Sequence, residues 1–393
     1  MLPLFVYSLF RFSIGIMLPV LQNVYSMSNS TAGILGSASV AATGIGVGMS
    51  GILSEKSNEK TVCFGGMLIF AIPLGLSLSS TNFVFFATLL ILSGLGSGLM
   101  TTPIYTLAGN LFPKRRGTAI GVLSSGYNLG GFIGPTMTGF FISNISYRLP
   151  FQAIAVIGIV IAIIFQIGLP SPQTIISDST VRKRTGFSGL LRNRNIFTIA
   201  ICMLLADFAF IAYVIWVPKF LEQTFLASIT NPDTIPVVFG IGVGLGGIGI
   251  IVGGQLMDRI GGRRAALISG LMAGTTSLGL FLSNNVAASI ALVLVVGFFT
   301  NWFWGLMSAM AQSNVPSFRR TSVTGLVQAI AFIGAVFGPG ITGIIAGPSL
   351  VTSASLVITV SIPYLIFAAL VVLFYRDPSS ETVARLSNQT VQS

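Results

Sequence analysis

Twelve apolar stretches run through this chain between short polar or charged breaks, and roughly 20 such residues are what an α-helix needs to cross about 30 Å of hydrocarbon. They are read near 2–25, 31–54, 61–79, 83–109, 118–143, 148–169, 196–221, 234–256, 264–282, 286–312, 321–346 and 352–375. Backbone polar groups find no water in hydrocarbon, so each stretch is expected to be helical. Only 7% of the 393 residues are charged against 53% hydrophobic, whereas soluble domains carry about 25% charged residues. The chain cannot clothe a water-facing surface. It reads as an all-α membrane protein with twelve transmembrane helices.

Several function classes drop out at once. There is no histidine, which excludes histidine-based metal or proton chemistry. The first apolar stretch lacks a basic leader and an A-x-A-like site, so it is expected to be a span and not a cleaved signal. Cys63 and Cys202 fall inside spans and are read as small buried apolar residues, not a disulfide or metal pair. The run "GVGLGGIGIIVGG" lies within a span and follows no strand, so it is not a phosphate-cradling loop. With one mid-span carboxylate, no acid-base pair offers itself for catalysis. Neither an enzyme nor a bound cofactor or metal is expected.

The charges suggest an orientation. With both termini and every even-numbered connection placed in the cytoplasm, that side collects 17 of the 20 basic residues, Lys56, Arg259, Arg263 and Arg264 among them. Only Arg148 and Lys219 fall outside and Arg11 within, the bias expected of cytoplasmic loops. A net charge of +11 spread over short loops meets anionic lipid headgroups. It forms no aromatic-lined basic groove, so nucleic acid is not an expected partner.

The chain also repeats itself. A shift of 204 pairs Arg115 with Arg319, Gly130 with Gly334, Gly134 with Gly338, Pro135 with Pro339 and Gly139 with Gly343. A shift of 203 sets Gly51 on Gly254, Glu55 on Asp258 and Lys56 on Arg259. Two six-helix bundles, 1–170 and 196–375, are expected to be joined by a cytoplasmic linker, 171–195, with a cytoplasmic tail at 376–393. Parallel repeats of this kind are a transporter plan with the substrate site at mid-depth.

These residues resemble the major facilitator superfamily, over nearly the whole chain. Its loop signature G-x-L-x-D-R-x-G-R-R stands in the second half as Gly254, Leu256, Asp258, Arg259, Gly261, Arg263 and Arg264. In the first half it is degraded, with Gly51, Glu55 for the aspartate, Lys56, and Asn58 for the glycine. The resemblance implies that these loops brace the cytoplasmic side by pairing their acid with basic helix ends. An arginine that many members carry in the fourth span is absent, Leu90 standing ahead of Gly94 and Gly96, so its role in proton coupling does not transfer. The Gly130–Gly139 stretch resembles a fifth-span motif of drug/proton antiporters, but its twin in the eleventh span makes an architectural role the simpler reading. Glycines such as Gly94, Gly96 and Gly98 are expected to let helices approach closely. Pro135 and Pro339, inside helices, are expected to kink them.

Setting loop and end charges aside leaves Arg11 in the first span and Asp207 in the seventh. At about 1.5 Å per residue, both are expected roughly 15 Å deep, near mid-membrane. Aligning Pro19 with Pro218 sets Asp207 against Ser8, one turn from Arg11 on the same face. A buried guanidinium costs several kcal/mol unless compensated. Cavity water, Asp207 or a bound anion could each do so. A fixed Arg11–Asp207 pair is one alternative, though desolvation can cancel its Coulombic gain. Snorkelling of Arg11 to the surface is another. The functional reading makes Arg11 an anion anchor, its planar fork suiting carboxylate or phosphate, and Asp207 the proton carrier.

Tyr7, Gln22, Tyr105, Tyr127, Asn128, Tyr213, Trp216, Asn301, Trp304 and Gln328 are the candidate substrate-lining residues, each with helix packing as an equal alternative. Lys219 and Glu222 are expected to form an exposed pair or an outer gate. The whole reads as a monomeric secondary transporter of the cell membrane, working by alternating access. Its expected activity is proton-coupled uptake of a small organic anion. The alternatives are a proton-coupled exporter of hydrophobic or cationic compounds, with Asp207 binding cation or proton, and a non-transporting membrane receptor or scaffold.

Overall fold

The computed structural model describes residues 1–77, 79–80, 82–111, 116–169, 191–225, 231, 233–315 and 320–377. For residues 55, 56, 109, 110, 116–121 and 320–322 it describes the backbone alone. The described residues form helices and no strand. Six precede the linker: α1 (Leu2–Tyr25), α2 (Asn29–Lys56), α3 (Glu59–Ser77), α4 (Phe83–Leu111), α5 (Arg116–Asn144) and α6 (Leu149–Gly168). Six follow it: α7 (Arg194–Phe225), α8 (Thr234–Ile260), α9 (Gly262–Leu282), α10 (Val286–Ser313), α11 (Arg320–Ala346) and α12 (Ser353–Phe374). Each coincides with one of the apolar stretches. Eleven helices among the described residues are long and apolar enough to span a membrane. Most of the expected linker, 171–190, and the tail from 378 onward lie outside the described residues.

Local chemistry sets the helix ends. Ser28 caps α2 by accepting from the Thr31 N–H at 3.2 Å, and Asn285 caps α10 through Ala288 at 3.1 Å, satisfying N–H groups that the helix itself cannot. Gly261, with φ of 86°, makes the one-residue turn between α8 and α9, where a side chain would be strained. Two helices carry irregularities. Asn301 interrupts α10, and Val357–Ser361 forms a π turn within α12. Pro135 and Pro339 lie inside α5 and α11 as expected.

The chain groups into two compact units. The first holds α1–α6 together with Val214–Gly244 and Gly343–Val351. Its core stacks Phe10 edge-on to Phe70 at 5.4 Å and beside Phe151 at 5.8 Å. Gly130 and Gly134 of α5 sit directly on the α1 backbone at Phe5 and Leu9. The backbone of α1 at Gly15 likewise meets α7 at Val214 and Ile215, which is why that part of α7 belongs to this unit. Large apolar side chains face outward, Ile167 of α6 being 80% exposed. Such exposure is tolerable only against lipid.

The second unit holds α7 up to Tyr213, Leu245–Thr342 and the chain from Thr352. Its α11 repeats the packing of α5. Gly334 and Gly338 sit on the α7 backbone at Leu204 and Phe208. The glycine-proline motif therefore serves helix packing in both repeats.

Candidate functional site

Arg11 lies midway along α1 and is half-buried. Its Nη1 donates to the Tyr7 hydroxyl at 2.6 Å, and its guanidinium carbon stands 5.8 Å from the centre of the same ring. The two residues are four apart, so a helix stacks them on one face. The Tyr7 ring lies 6.0 Å from Tyr127 of α5, which also meets Phe12 at 5.7 Å. Tyr105 of α4 is partnered by Ser124 of α5. Asn128, one turn on, donates to the Ser124 carbonyl at 3.3 Å. Within the first unit, Tyr7 therefore joins Arg11 to Tyr127 and lies within electrostatic reach of Tyr105, while Asn128 and Tyr105 both meet Ser124 of α5. The group beside the guanidinium, Tyr7, is aromatic and carries a hydroxyl. A planar cation in such a setting can bind carboxylate or phosphate in a forked manner.

Gln22 and Trp216 belong to a different part of that unit. Gln22 is buried near the end of α1, and its oxygen accepts from Lys219 at 2.5 Å. Trp216 is buried against Gly343. The expectation that Lys219 and Glu222 form an exposed pair is corrected here. Lys219 is only 7% exposed, and its ammonium also donates to Asn29 Oδ1 at 2.6 Å and the Ser349 carbonyl at 3.3 Å. Glu222 is half-buried. Arg11 and Asp207 are thus joined by a third ionisable residue inside a span, which sequence reasoning missed.

In the second unit Asp207 is 1% exposed. Tyr364 of α12, just past the π turn, lies within electrostatic reach of both Asp207 and Tyr213. The Tyr364 hydroxyl is buried with no hydrogen-bond partner among the described residues. Tyr213 donates to the Val293 carbonyl at 3.4 Å. Asn301 donates to the Gly297 carbonyl at 3.1 Å and fills the space beside Gly246. Trp304 stacks obliquely on Phe303 at 5.4 Å, and Gln328 is exposed on α11.

The signature loops are tied through residues at both helix starts. Arg263, opening α9, donates from Nη2 to the Val372 carbonyl at 2.5 Å, and its backbone N–H donates to Asp377 at 3.1 Å. Lys60, opening α3, donates from Nζ to the Leu169 carbonyl at 2.6 Å. Leu169 and Val372 are themselves 203 positions apart, so both repeats cap the last helix of their half with a cation from the third, where carbonyls lack partners. Asp258, Arg259 and Arg264 are exposed, and Gly51 and Gly254 have open space beside them. The side chains of Glu55 and Lys56 lie outside the described residues.

Comparison with known proteins agrees with this architecture. The chain is 25% identical over 388 residues to the hexuronate transporter of Bacillus subtilis, covering 94% of this chain and 91% of that one. It is 26% identical over 345 residues to the gentisate transporter of Corynebacterium glutamicum, covering 84% and 76%. A solved bacterial homologue of the human lysosomal transporter Spinster, inward-facing and occupied, superposes with a TM-score of 0.77 at 17% identity over 99% of this chain and 96% of that one. The profile of the Major Facilitator Superfamily matches residues 1–339 and 225–391. The chain accordingly belongs to the major facilitator superfamily, and it is a multi-pass membrane transporter, not an enzyme.

Proposed function

We propose that the protein takes up a small organic anion together with a proton, by alternating access of the repeats 1–170 and 196–375 about their linker. The observation that carries this reading is Arg11, a half-buried guanidinium at mid-span held by the Tyr7 hydroxyl, with the Tyr7 ring beside Tyr127. The substrates for which the two relatives are named, hexuronate and gentisate, are both carboxylates, which supports an anionic cargo. Asp207, buried in the second unit, is the proton carrier in this scheme. The protein works as a monomer in the cell membrane with both termini in the cytoplasm, as the crowding of cations onto one set of loops supports. The packing of Gly134 on α1 and of Gly338 on α7 supports an architectural role for the Gly130–Gly139 motif and its twin.

Uptake of radiolabelled D-glucuronate and gentisate into proteoliposomes tests the reading. With an inward acid gradient, the wild-type protein accumulates one of them. Arg11→Ala lowers kcat/KM by about a hundredfold or more, the scale of a lost bidentate charged contact. Arg11→Lys recovers only part, since an ammonium cannot fork. Asp207→Asn abolishes gradient-driven accumulation while counterflow exchange continues. An Arg11→Ala protein with wild-type rate and affinity sinks the anion reading.

A further inference from the structure

Lys219 follows Pro218 in α7 and is almost sealed from solvent within the first unit. Among the described residues its three hydrogen-bond partners are all neutral oxygens: Gln22 Oε1 at the end of α1, Asn29 Oδ1 at the start of α2, and the Ser349 carbonyl between α11 and α12. Dipoles alone solvate a buried ammonium incompletely, and a carboxylate or phosphate oxygen would bind it more strongly than any of them. Glu222 acts on the Lys219 ammonium through space, without a hydrogen bond to it among the described residues. Glu222 is among the residues that line a cavity of about 100 Å³ with Ile16, Pro19, Pro218 and Pro236.

Spare donors lie beside that ammonium. Asn29 Oδ1 accepts from both Lys219 Nζ and Gln22 Nε2, the latter at 3.0 Å. Two donors on one oxygen settle which way the amide points. Asn29 Nδ2 is then left buried with no partner among the described residues. Asn29 is also the first residue of α2, a helix of 28 residues whose N-terminal dipoles add to the positive potential. Lys219, Asn29 and Gln22 thus bring together one positive charge, an unused N–H pair and a favourable helix end, with no hydrogen-bonded anion among the described residues.

We propose that Lys219, Asn29 and Gln22 form a second anion-binding site, separate from Arg11, at the α1–α2 end of the molecule. It receives the carboxylate or phosphate group of the substrate when α7 and the α1–α2 turn part, and closes on the Gln22, Asn29 and Ser349 oxygens when the anion has left. The site rests on the organic-anion reading above and extends it to a reception step.

Two measurements on the full chain test this. The first needs no transported substrate. Gln223→Cys puts a thiol one turn from Lys219 at an exposed position, Cys63 and Cys202 being fully buried. Its reaction with anionic sulfonatoethyl and cationic trimethylammonioethyl methanethiosulfonates gives a rate ratio that reports the local potential. Adding Lys219→Gln lowers the anionic-to-cationic ratio several-fold, and Lys219→Arg restores it. The second measurement is D-glucuronate and gentisate uptake. Lys219→Gln raises KM by about tenfold with kcat kept within roughly twofold, as loss of one charged hydrogen bond requires. Equal acceleration of both reagents would mean a structural tie alone and would overturn the proposal, as would an unchanged ratio. The reagent ratio stands whatever Arg11→Ala does to uptake, so failure of this site and failure of the anion reading are told apart.

Discussion

At Arg11 the sequence and the structure meet most directly. Tyr7 and Arg11 are one turn apart in the chain, so their 2.6 Å contact follows from helix geometry once α1 forms. The hydroxyl holds one arm of the guanidinium and leaves the plane of the group set by that arm. Tyr7→Phe removes the acceptor and keeps the ring against Tyr127. Because Arg11 is half-exposed, water replaces part of the lost bond, and the cost is expected near 1 kcal/mol. We expect KM for the transported anion to rise about fivefold with kcat little changed. A KM equal to wild type in proteoliposome uptake would show that Tyr7 does not orient the anchor. Lys219 was not legible in the same way. Its partners Gln22 and Asn29 lie 197 and 190 residues away and carry no charge. Position near the end of a span made it look solvent-facing, but Gln22 of α1, Asn29 of α2 and the Ser349 carbonyl close over its ammonium.

The twelve helices were legible almost residue for residue, because a bilayer demands length and apolarity and tolerates few breaks. The two irregularities were not. Asn301 sits in a continuous apolar run, and the π turn at Val357–Ser361 contains nothing that a helical pattern would reject. Glycine packing was legible as spacing but not as partners. Gly98 of α4 faces the α2 backbone at Thr43, Val47 and Gly46, and a Cβ there would overlap the Thr43 carbonyl. Backbone cannot swing aside as a side chain can. Gly98→Ala is expected to cost about 1–3 kcal/mol, the range for overpacking, and to lower the thermal midpoint in detergent. Gly48, on α2, has open space where its Cβ would go. Gly48→Ala is expected to leave the midpoint unchanged or raise it slightly, since alanine favours helix by about 1 kcal/mol over glycine. Equal melting of the two variants would refute the close-packing account of the seam.

Over the whole molecule, the duplicated sequence predicts duplicated mechanics, and the helix-end ties show this at atomic detail. Lys60 holds the carbonyl that ends α6, and Arg263 holds the carbonyl that ends α12, at positions related by the same shift that aligns the loop signatures. The second half adds Asp377 on the Arg263 N–H, with Asn195 of α7 donating to the Arg376 carbonyl at 2.8 Å. Lys60 is the more buried of the two cations. Each tie lies within its own compact unit and the two share no partner, so their losses should add. Lys60→Met is expected to lower the detergent melting midpoint by about 2–4 °C, the usual scale for 1 kcal/mol in a domain of this size. Arg263→Met should lower it less, because Asp377 and Asn195 still hold that end. The double variant should fall by the sum of the two shifts. A double variant no worse than Lys60→Met alone would mean that the two ties act on one structural element, and that the repeat in sequence is not a repeat in support.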